Sequence, residues 1–313
     1  MNILLIGGNG FIGSHLIDIF LKNGHEVRVF DCSYERFRGK IKGVDYIIDS
    51  IEETDKLTEA LWDVDIVFHL VGPSLPSISD INPILDIRKN LLPTIKLLDA
   101  MVQLNKSRIV YFSSGGAIYK PQGLVPVPEE HILEPISSYG IIKMTVEKYL
   151  MLYERLYGIQ PLIIRPSNPY GPRQGHIGTH GVISTFLHRI IKNKELIVFG
   201  DGSSVKDYIY ISDLIEACYL LTINQFKGIF NIGSGIGYSI NEIISLISEI
   251  TGKIPRIRYV SPHRSDLQNF ILNINKVNNS IDWYPKVSLR DGIIMFWNWI
   301  EKLSNSNKNE IVD

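Results

Sequence analysis

Two residues near the middle of the chain stand at a spacing that can do acid–base chemistry. They are Tyr139 and Lys143, in the run Ser137-Ser138-Tyr139-Gly140-Ile141-Ile142-Lys143. Four residues apart on a helix, they share one face. A phenol with an ordinary pKa of about 10 is a poor base near neutrality. An ammonium beside it favours the phenolate and lowers that pKa, so the pair could take a proton from a hydroxyl and give it back. The same spacing also occurs on ordinary surface helices, so the surroundings decide between the two readings.

The first thirty-one residues supply those surroundings. An apolar run, Ile3-Leu4-Leu5-Ile6, reads as a strand buried on both faces, and Gly7, Gly10 and Gly13 follow it at once. A helical stretch from Ser14 stops at Gly24, and a second strand, Glu26-Val27-Arg28-Val29-Phe30, ends on Asp31, about 20 residues past the glycines. Gly7 permits a sharp turn, Gly10 lets backbone N–H groups approach a pyrophosphate, and Gly13 lets helix and strand pack closely. The helix N-terminus then faces the phosphates. Glycines alone fit any tight strand-to-helix turn; with the helix, second strand and acid in place they predict a dinucleotide site. Asp31 would accept a ribose hydroxyl and repel a 2'-phosphate, which favours NAD over NADP, while Arg28 and Arg36 are nearby cations that could soften the preference. The positive nicotinamide ring would add to the effect of Lys143 on Tyr139.

The elements that must position these residues alternate along the chain. Tyr46-Ile47-Ile48, Ile66-Val67-Phe68-His69-Leu70, Ile109-Val110-Tyr111-Phe112 and Leu162-Ile163-Ile164 read as strands three to six, with helices near 54–62, 84–103 and 139–157. The alternation predicts an α/β fold, a doubly wound parallel sheet whose ligands bind at the carboxyl ends of the strands. With 313 residues, 45% of them hydrophobic, the chain can bury a large core, and a net charge of −1 offers no basic field for nucleic acid or anionic membrane. Two cysteines, Cys32 and Cys218, give no disulfide framework, and no metal-ligand spacing occurs. No apolar run approaches the ~20 residues of a membrane span. The first strand begins almost at Met1, which leaves no room for a cleavable leader, so a cytoplasmic protein is expected. The polar end 304–313 is expected to fray.

Further candidates collect at strand ends. Asp49 ends strand three, as a nucleotide contact or as a turn acid. Gly72 follows strand four and could let the backbone approach a cofactor. Pro93 should kink or restart the helix that carries Asn90. His69, amid apolar residues, reads as a packed core histidine.

The Gly-x-x-Gly-x-x-Gly spacing with Tyr139-x-x-x-Lys143 resembles the short-chain dehydrogenase/reductase superfamily in its extended, sugar-nucleotide-modifying branch. Three runs extend the likeness: Arg88-Lys89-Asn90-Leu91-Leu92-Pro93-Thr94, Ile164-Arg165-Pro166-Ser167-Asn168-Pro169-Tyr170-Gly171-Pro172 and Phe199-Gly200-Asp201-Gly202-Ser203-Ser204-Val205-Lys206-Asp207-Tyr208. Phe230-Asn231-Ile232-Gly233-Ser234-Gly235, a capping box at Ser239 and Glu242, and a turn at Trp283-Tyr284-Pro285 carry it almost to the tail. The resemblance implies a Rossmann domain over 1–163 and a smaller sugar-nucleotide lobe over 164–303, partly interleaved with it. It implies NAD contacts at Gly7, Gly10, Phe11, Ile12, Gly13, Asp31, Asp49, Ser50, Leu70, Gly72, Asn90, Ser113, Tyr139 and Lys143. Substrate contacts are implied at Ser114, Tyr139, Asn168, Lys206, Arg264, Asp266 and Phe270.

The family's third catalytic group is a serine or threonine after strand five. Here the stretch reads Phe112-Ser113-Ser114-Gly115-Gly116-Ala117, and the usual serine position falls on Gly115. Ser114 or a water must then supply the hydrogen bond. Relatives that dehydrate or decarboxylate carry extra acids here, and Gly115 and Gly116 cannot move a second proton. A bulky Phe270 resembles members that prefer glucose and galactose over their N-acetyl forms. What the resemblance implies is an NAD-dependent 4-epimerase of UDP-hexoses, supplying sugars for surface polysaccharide and pairing as a homodimer. An NADPH-dependent 4-ketoreductase and a catalytically weak sugar-nucleotide binder stay open.

Overall fold

The computed structural model describes residues 1–52, 54–72, 80–120, 126–175, 181–261 and 269–309. Its centre is a 7-stranded parallel sheet in the order β10-β6-β5-β4-β1-β2-β3, which reverses direction of winding between β1 and β4. The strands are β1 (Asn2–Ile6), β2 (Glu26–Asp31), β3 (Val44–Ile48), β4 (Ile66–His69), β5 (Arg108–Phe112), β6 (Gln160–Pro166) and β10 (Gly228–Ile232). Leu4, Leu5, Ile6, Val67, Phe68 and Val110 are fully buried, as strands covered by helices on both faces require.

The covering helices are α1 (Phe11–Lys22), α2 (Thr54–Ala60), a continuous helix α3 over 83–103, and α5 (Ser138–Tyr157); a short α4 (Gly115–Ile118) precedes α5. Inside α3, residues Ile87–Leu91 form a π-helical turn, and regular helix resumes at Leu92 with Pro93 in its first turn. Proline cannot donate to the carbonyl four residues back and its ring crowds that carbonyl, so the helix widens before it and restarts. The restart expected at Pro93 is the one observed.

The second half adds β7 (Asn168–Tyr170), β9 (Val205–Tyr210), β11 (Gly237–Ser239) and β13 (Asn269–Phe270) as a small sheet, and β8 (Leu196–Phe199) with β12 (Ile257–Val260) as a two-stranded one. Helices α6 (Val182–Ile191), α7 (Ile211–Ile223), α8 (Ile240–Thr251), α9 (Asn275–Ile281) and α10 (Leu289–Asn309) complete this half, with α7 lying against α1 and α9 against β10. The expected capping box opens α8: Ser239 accepts from the Glu242 amide while Glu242 accepts from the Ser239 amide. Trp283 is buried. The expected boundary at 163/164 falls inside β6, and β10 returns to the large sheet from the second half of the chain. Of the end expected to fray, residues 304–309 continue the helix that Ile293, Phe296, Trp297 and Ile300 anchor, and 310–313 lie outside the described residues.

Candidate active site

The glycine turn sits between β1 and α1 at the carboxyl end of the sheet. Gly7 holds a left-handed φ of +83°, and a Cβ on Gly13 would lie 2.6 Å from the Gly8 Cα, so only glycine lets α1 come this close to the strand. Gly10 caps α1 and is exposed, with Phe11 and Ile12 half-buried behind it. Asp31 ends β2, where its carboxylate accepts from the Asn9 amide at 3.0 Å and the Ser33 amide at 3.3 Å; burial raises its pKa and these N–H groups oppose the rise. Arg28 is engaged elsewhere: its guanidinium holds Asp45 and the carbonyls of Ala60 and Trp62, so it does not soften the Asp31 charge. Asp49, at the end of β3, accepts from the Ser50 amide at 2.7 Å, an arrangement of the turn itself.

The acid–base pair lies at the carboxyl ends of β4 and β5. A small cavity there is lined by His69, Gly72, Asp86, Asn90, Thr94, Tyr111, Tyr139 and Lys143. Ser137 caps α5 by accepting from the Gly140 amide, which starts the helix so that Tyr139 and Lys143 point into this cavity. Lys143 is buried, with Nζ donating to the Phe112 carbonyl at 2.7 Å and standing 4.9 Å from the Tyr111 ring centroid and 5.7 Å from that of Tyr139. Burial brings its pKa down to about 8, against the pull of Glu147 and Asp86.

Tyr139 departs from expectation. Its phenol is pushed up to about 12 by burial and by Asp86, and the group that opposes the rise is the neighbouring Ser114 hydroxyl. Lys143 stands 5.7 Å from the centre of the Tyr139 ring and spends one of its three N–H donors on the Phe112 carbonyl. Gly115 also has a steric reason: a Cβ there would meet the Pro166 carbonyl oxygen at 2.9 Å and the Leu272 methyls at 3.1 Å. His69 is the packed histidine expected, bonded through Nε2 to Thr94 Oγ1 at 2.7 Å and neutral, its pKa lowered to about 3 by burial and by Lys143.

The site accommodates a dinucleotide. The bare turn leaves backbone open at the N-terminus of α1, Gly72 leaves the approach to Lys143 free of a side chain, and Ser113 Oγ is buried without a hydrogen-bond partner among the described residues.

A family model described as "NAD dependent epimerase/dehydratase family" matches residues 3–233. This chain belongs to that family. A UDP-glucose 4-epimerase from Halalkalibacterium halodurans is 31% identical over 96% of this chain and 95% of its own. Among solved structures, the Thermotoga maritima UDP-glucose 4-epimerase with UDP-glucose superposes at a TM-score of 0.90 with 36% identity, covering 97% of this chain and all of that one. The Thermus thermophilus UDP-glucose 4-epimerase complex with NAD does so at 0.90 and 32%, over 96% and 99%.

Within this family fold, the expected substrate residues lie where the small sheet meets the large one. Asn168, on β7, donates to the Asp207 carbonyl at 2.7 Å, and Lys206, on β9, pairs in register with Phe270 on β13. Phe270 is 2% exposed, its ring edge 3.9 Å from where a Gly116 Cβ would stand. Leu70, just past β4, is half-buried, and Asn90 Nδ2 donates to Asp86. Arg264 and Asp266 lie outside the described residues.

Three groups near the site have roles that the motifs did not assign, although Arg165 and Asp207 stand within family-like runs. Asp86 is buried in the cavity wall, accepting from Ser138 Oγ at 3.2 Å. Asp207 is buried under the small sheet and gathers the amides of Ser234, Gly235 and Leu272. Glu147 and Arg165 form a buried ion pair behind Lys143. The i,i+4 repeat Tyr139, Lys143, Glu147 could have flagged Glu147; the others follow from contacts distant in sequence.

Proposed function

We propose that the chain is an NAD-dependent epimerase that inverts carbon 4 of a UDP-hexose, with UDP-glucose and UDP-galactose as the interconverted pair. The observation that carries this reading is the cavity at the ends of β4 and β5 that Tyr139 and Lys143 line together, beside the Ser114 segment with its two following glycines. After β5, where relatives that eliminate or decarboxylate carry their extra acids, this chain has Gly115 and Gly116, which leaves one proton-transfer centre there. Tyr139, as phenolate, takes the proton of the 4-hydroxyl and later returns it, while Ser114 steadies the phenolate and the sugar oxygen. Bound NAD supplies the hydride acceptor and donor for carbon 4, and its positive ring offsets the burial that keeps the phenol protonated. Asn168 and Lys206, with Arg264 and Asp266, hold the diphosphate and ribose while the flat 4-keto sugar turns over. Lys206 does so as a point charge rather than a fork. Phe270, pressed toward Gly116, fills the space beside carbon 2 and favours sugars without an N-acetyl group.

We further infer a homodimer in a reducing, cytoplasmic setting. Ile84, Ile87 and Leu92 on α3 and Ile141, Leu152 and Leu156 on α5 are exposed apolar residues on neighbouring helices, a surface that a second copy would cover. Cys32 and Cys218 are both free thiols. The test is incubation with UDP-galactose without added cofactor, followed by NMR of the sugar-nucleotide pool. UDP-glucose appearing toward the same ratio from either side supports the reading; no conversion of either sugar overturns it.

A further inference from the structure

The catalytic helix presents three polar residues in one line toward the core: Tyr139, Lys143 and, one turn on, Glu147. Glu147 is 0% exposed, and so nearly is its partner Arg165, at 1%. Burying an ion pair is costly unless its remaining hydrogen-bonding positions are filled, and here they are. Arg165 Nε donates to Glu147 Oε1 at 3.0 Å and Nη2 to Oε2 at 2.6 Å. Nη1 donates to the Tyr119 hydroxyl at 2.7 Å and to the Glu129 carbonyl at 2.9 Å. Tyr119 in turn donates to Asn231 Oδ1 at 2.7 Å, and Asn231 N donates to the Glu129 carboxylate at 2.9 Å.

This network joins the elements whose spacing the chemistry needs. Glu147 belongs to α5 with Tyr139 and Lys143, Tyr119 directly follows α4, the short helix that Ser114 caps, and Arg165 and Asn231 lie on β6 and β10. The helix is pressed on the Ser114 segment so closely that a Cβ on Gly140 would overlap the Ala117 carbonyl oxygen. A guanidinium with its donors fixed in a plane holds such a gap better than a flexible ammonium would.

We propose that the Glu147–Arg165 pair is the positioning element of the catalytic helix: it fixes Tyr139 and Lys143 against the segment carrying Ser114, and it supplies a negative charge that the buried Lys143 ammonium requires. The groups facing Lys143 are Glu147 and Tyr139 on its own helix, Asp86 on α3, His69 on β4, and the Tyr111 ring and Phe112 carbonyl on β5. His69 is neutral, so Glu147 and Asp86 provide the countercharge, and Glu147 is the larger influence of the two. The proposal rests on the role given to Tyr139 and Lys143 above, and its test has one arm that does not depend on turnover.

Glu147→Gln and Arg165→Lys are compared with the unaltered chain in its cofactor-bound form. In the first arm, NMR of labelled lysine side chains follows the titration of Lys143, assigned by the loss of its signal in Lys143→Arg. The midpoint should fall in Glu147→Gln, where a neutral amide leaves the Arg165 cation uncompensated, and should stay in place in Arg165→Lys. An unchanged midpoint in folded Glu147→Gln overturns the charge role, whatever sugar the enzyme uses. In the second arm, Arg165→Lys keeps the charge but gives up contacts to Tyr119 and Glu129, and kcat should fall at least about tenfold at little-changed KM, as misplaced catalytic groups do. A kcat within about twofold of the unaltered enzyme overturns the positioning role, and decides the matter even where Glu147→Gln does not fold.

Discussion

Ser114→Ala tests the site at its least expected point. Burial and Asp86 hold the Tyr139 phenol up at about 12, and among the described residues the Ser114 hydroxyl is the group that opposes that rise. A hydrogen bond to a charged group is worth about 1.5–3 kcal/mol. With about 1.4 kcal/mol per tenfold in rate, kcat should fall by about 10- to 150-fold. The limb of the pH–rate profile on the acid side should move to higher pH, because a base with a higher pKa is deprotonated later. Moving the hydroxyl back to the family's usual position should not repair the loss. In Ser114→Ala/Gly115→Ser the new Cβ would stand 2.9 Å from the Pro166 carbonyl oxygen and 3.1 Å from Leu272. Overpacking of that kind costs about 1–3 kcal/mol. The assay is interconversion of UDP-galactose and UDP-glucose followed by NMR across pH, with a melting curve for each variant. An unaffected rate in Ser114→Ala, or full recovery in the double variant with an unchanged melting temperature, would refute the assignment of the hydroxyl to Ser114.

Three further outcomes are expected. Tyr139→Phe should abolish turnover while NAD still binds, measured by the absorbance and stoichiometry of cofactor retained on purification; residual turnover above about 1% of the rate would sink the proton-transfer role, since such groups contribute about 100-fold or more. Ile141→Lys puts a charge in the exposed stripe of α5 and should shift sedimentation from dimer to monomer, and a monomeric unaltered chain would contradict the dimer outright. His15, lowered to about 4 by burial and Arg173, and His69, lowered to about 3, are neutral in the fold. An unfolded histidine binds a proton below about pH 6.5, so the unfolded state takes up protons that the native state refuses, and stability should fall as pH drops from 6.5 toward 4. Urea midpoints at pH 7 and pH 5 measure this, and a slope no smaller in His69→Gln would show that His69 does not contribute.

Much of this arrangement was legible in the sequence because its signals are local. Glycine turn, apolar run and acid lie within one strand–helix–strand unit, and Tyr139 with Lys143 lie within one helical turn, so spacing alone places them. The six strands read from apolar runs all form, and Pro93 restarts its helix as its missing N–H dictates. Residues 304–309 are helical for a complementary reason: their composition is polar, but they continue α10, whose buried aromatics lie upstream. What periodicity cannot show is which distant residues meet. Arg165 reads as one letter of a loop motif, yet it is among the most buried side chains and meets Glu147, Tyr119 and Glu129. Nor does spacing show that the Lys143 ammonium also donates to the Phe112 carbonyl, a partner more than thirty residues away in the sequence.

The place of β10 bears on how the protein comes into being. The strand beside β6 is contributed by residues 228–232, so a ribosome that has released only the first two hundred residues has made six strands of a seven-stranded sheet. Until β10 arrives, β6 exposes the backbone of Leu162, Ile163 and Ile164 along an open, apolar edge, the kind of edge on which nascent chains pair wrongly. The same dependence makes the halves inseparable: a nick between β6 and β10 leaves a joined molecule while the fold holds, but a gene cut there would yield a first fragment that must be shielded by a chaperone or lost to aggregation.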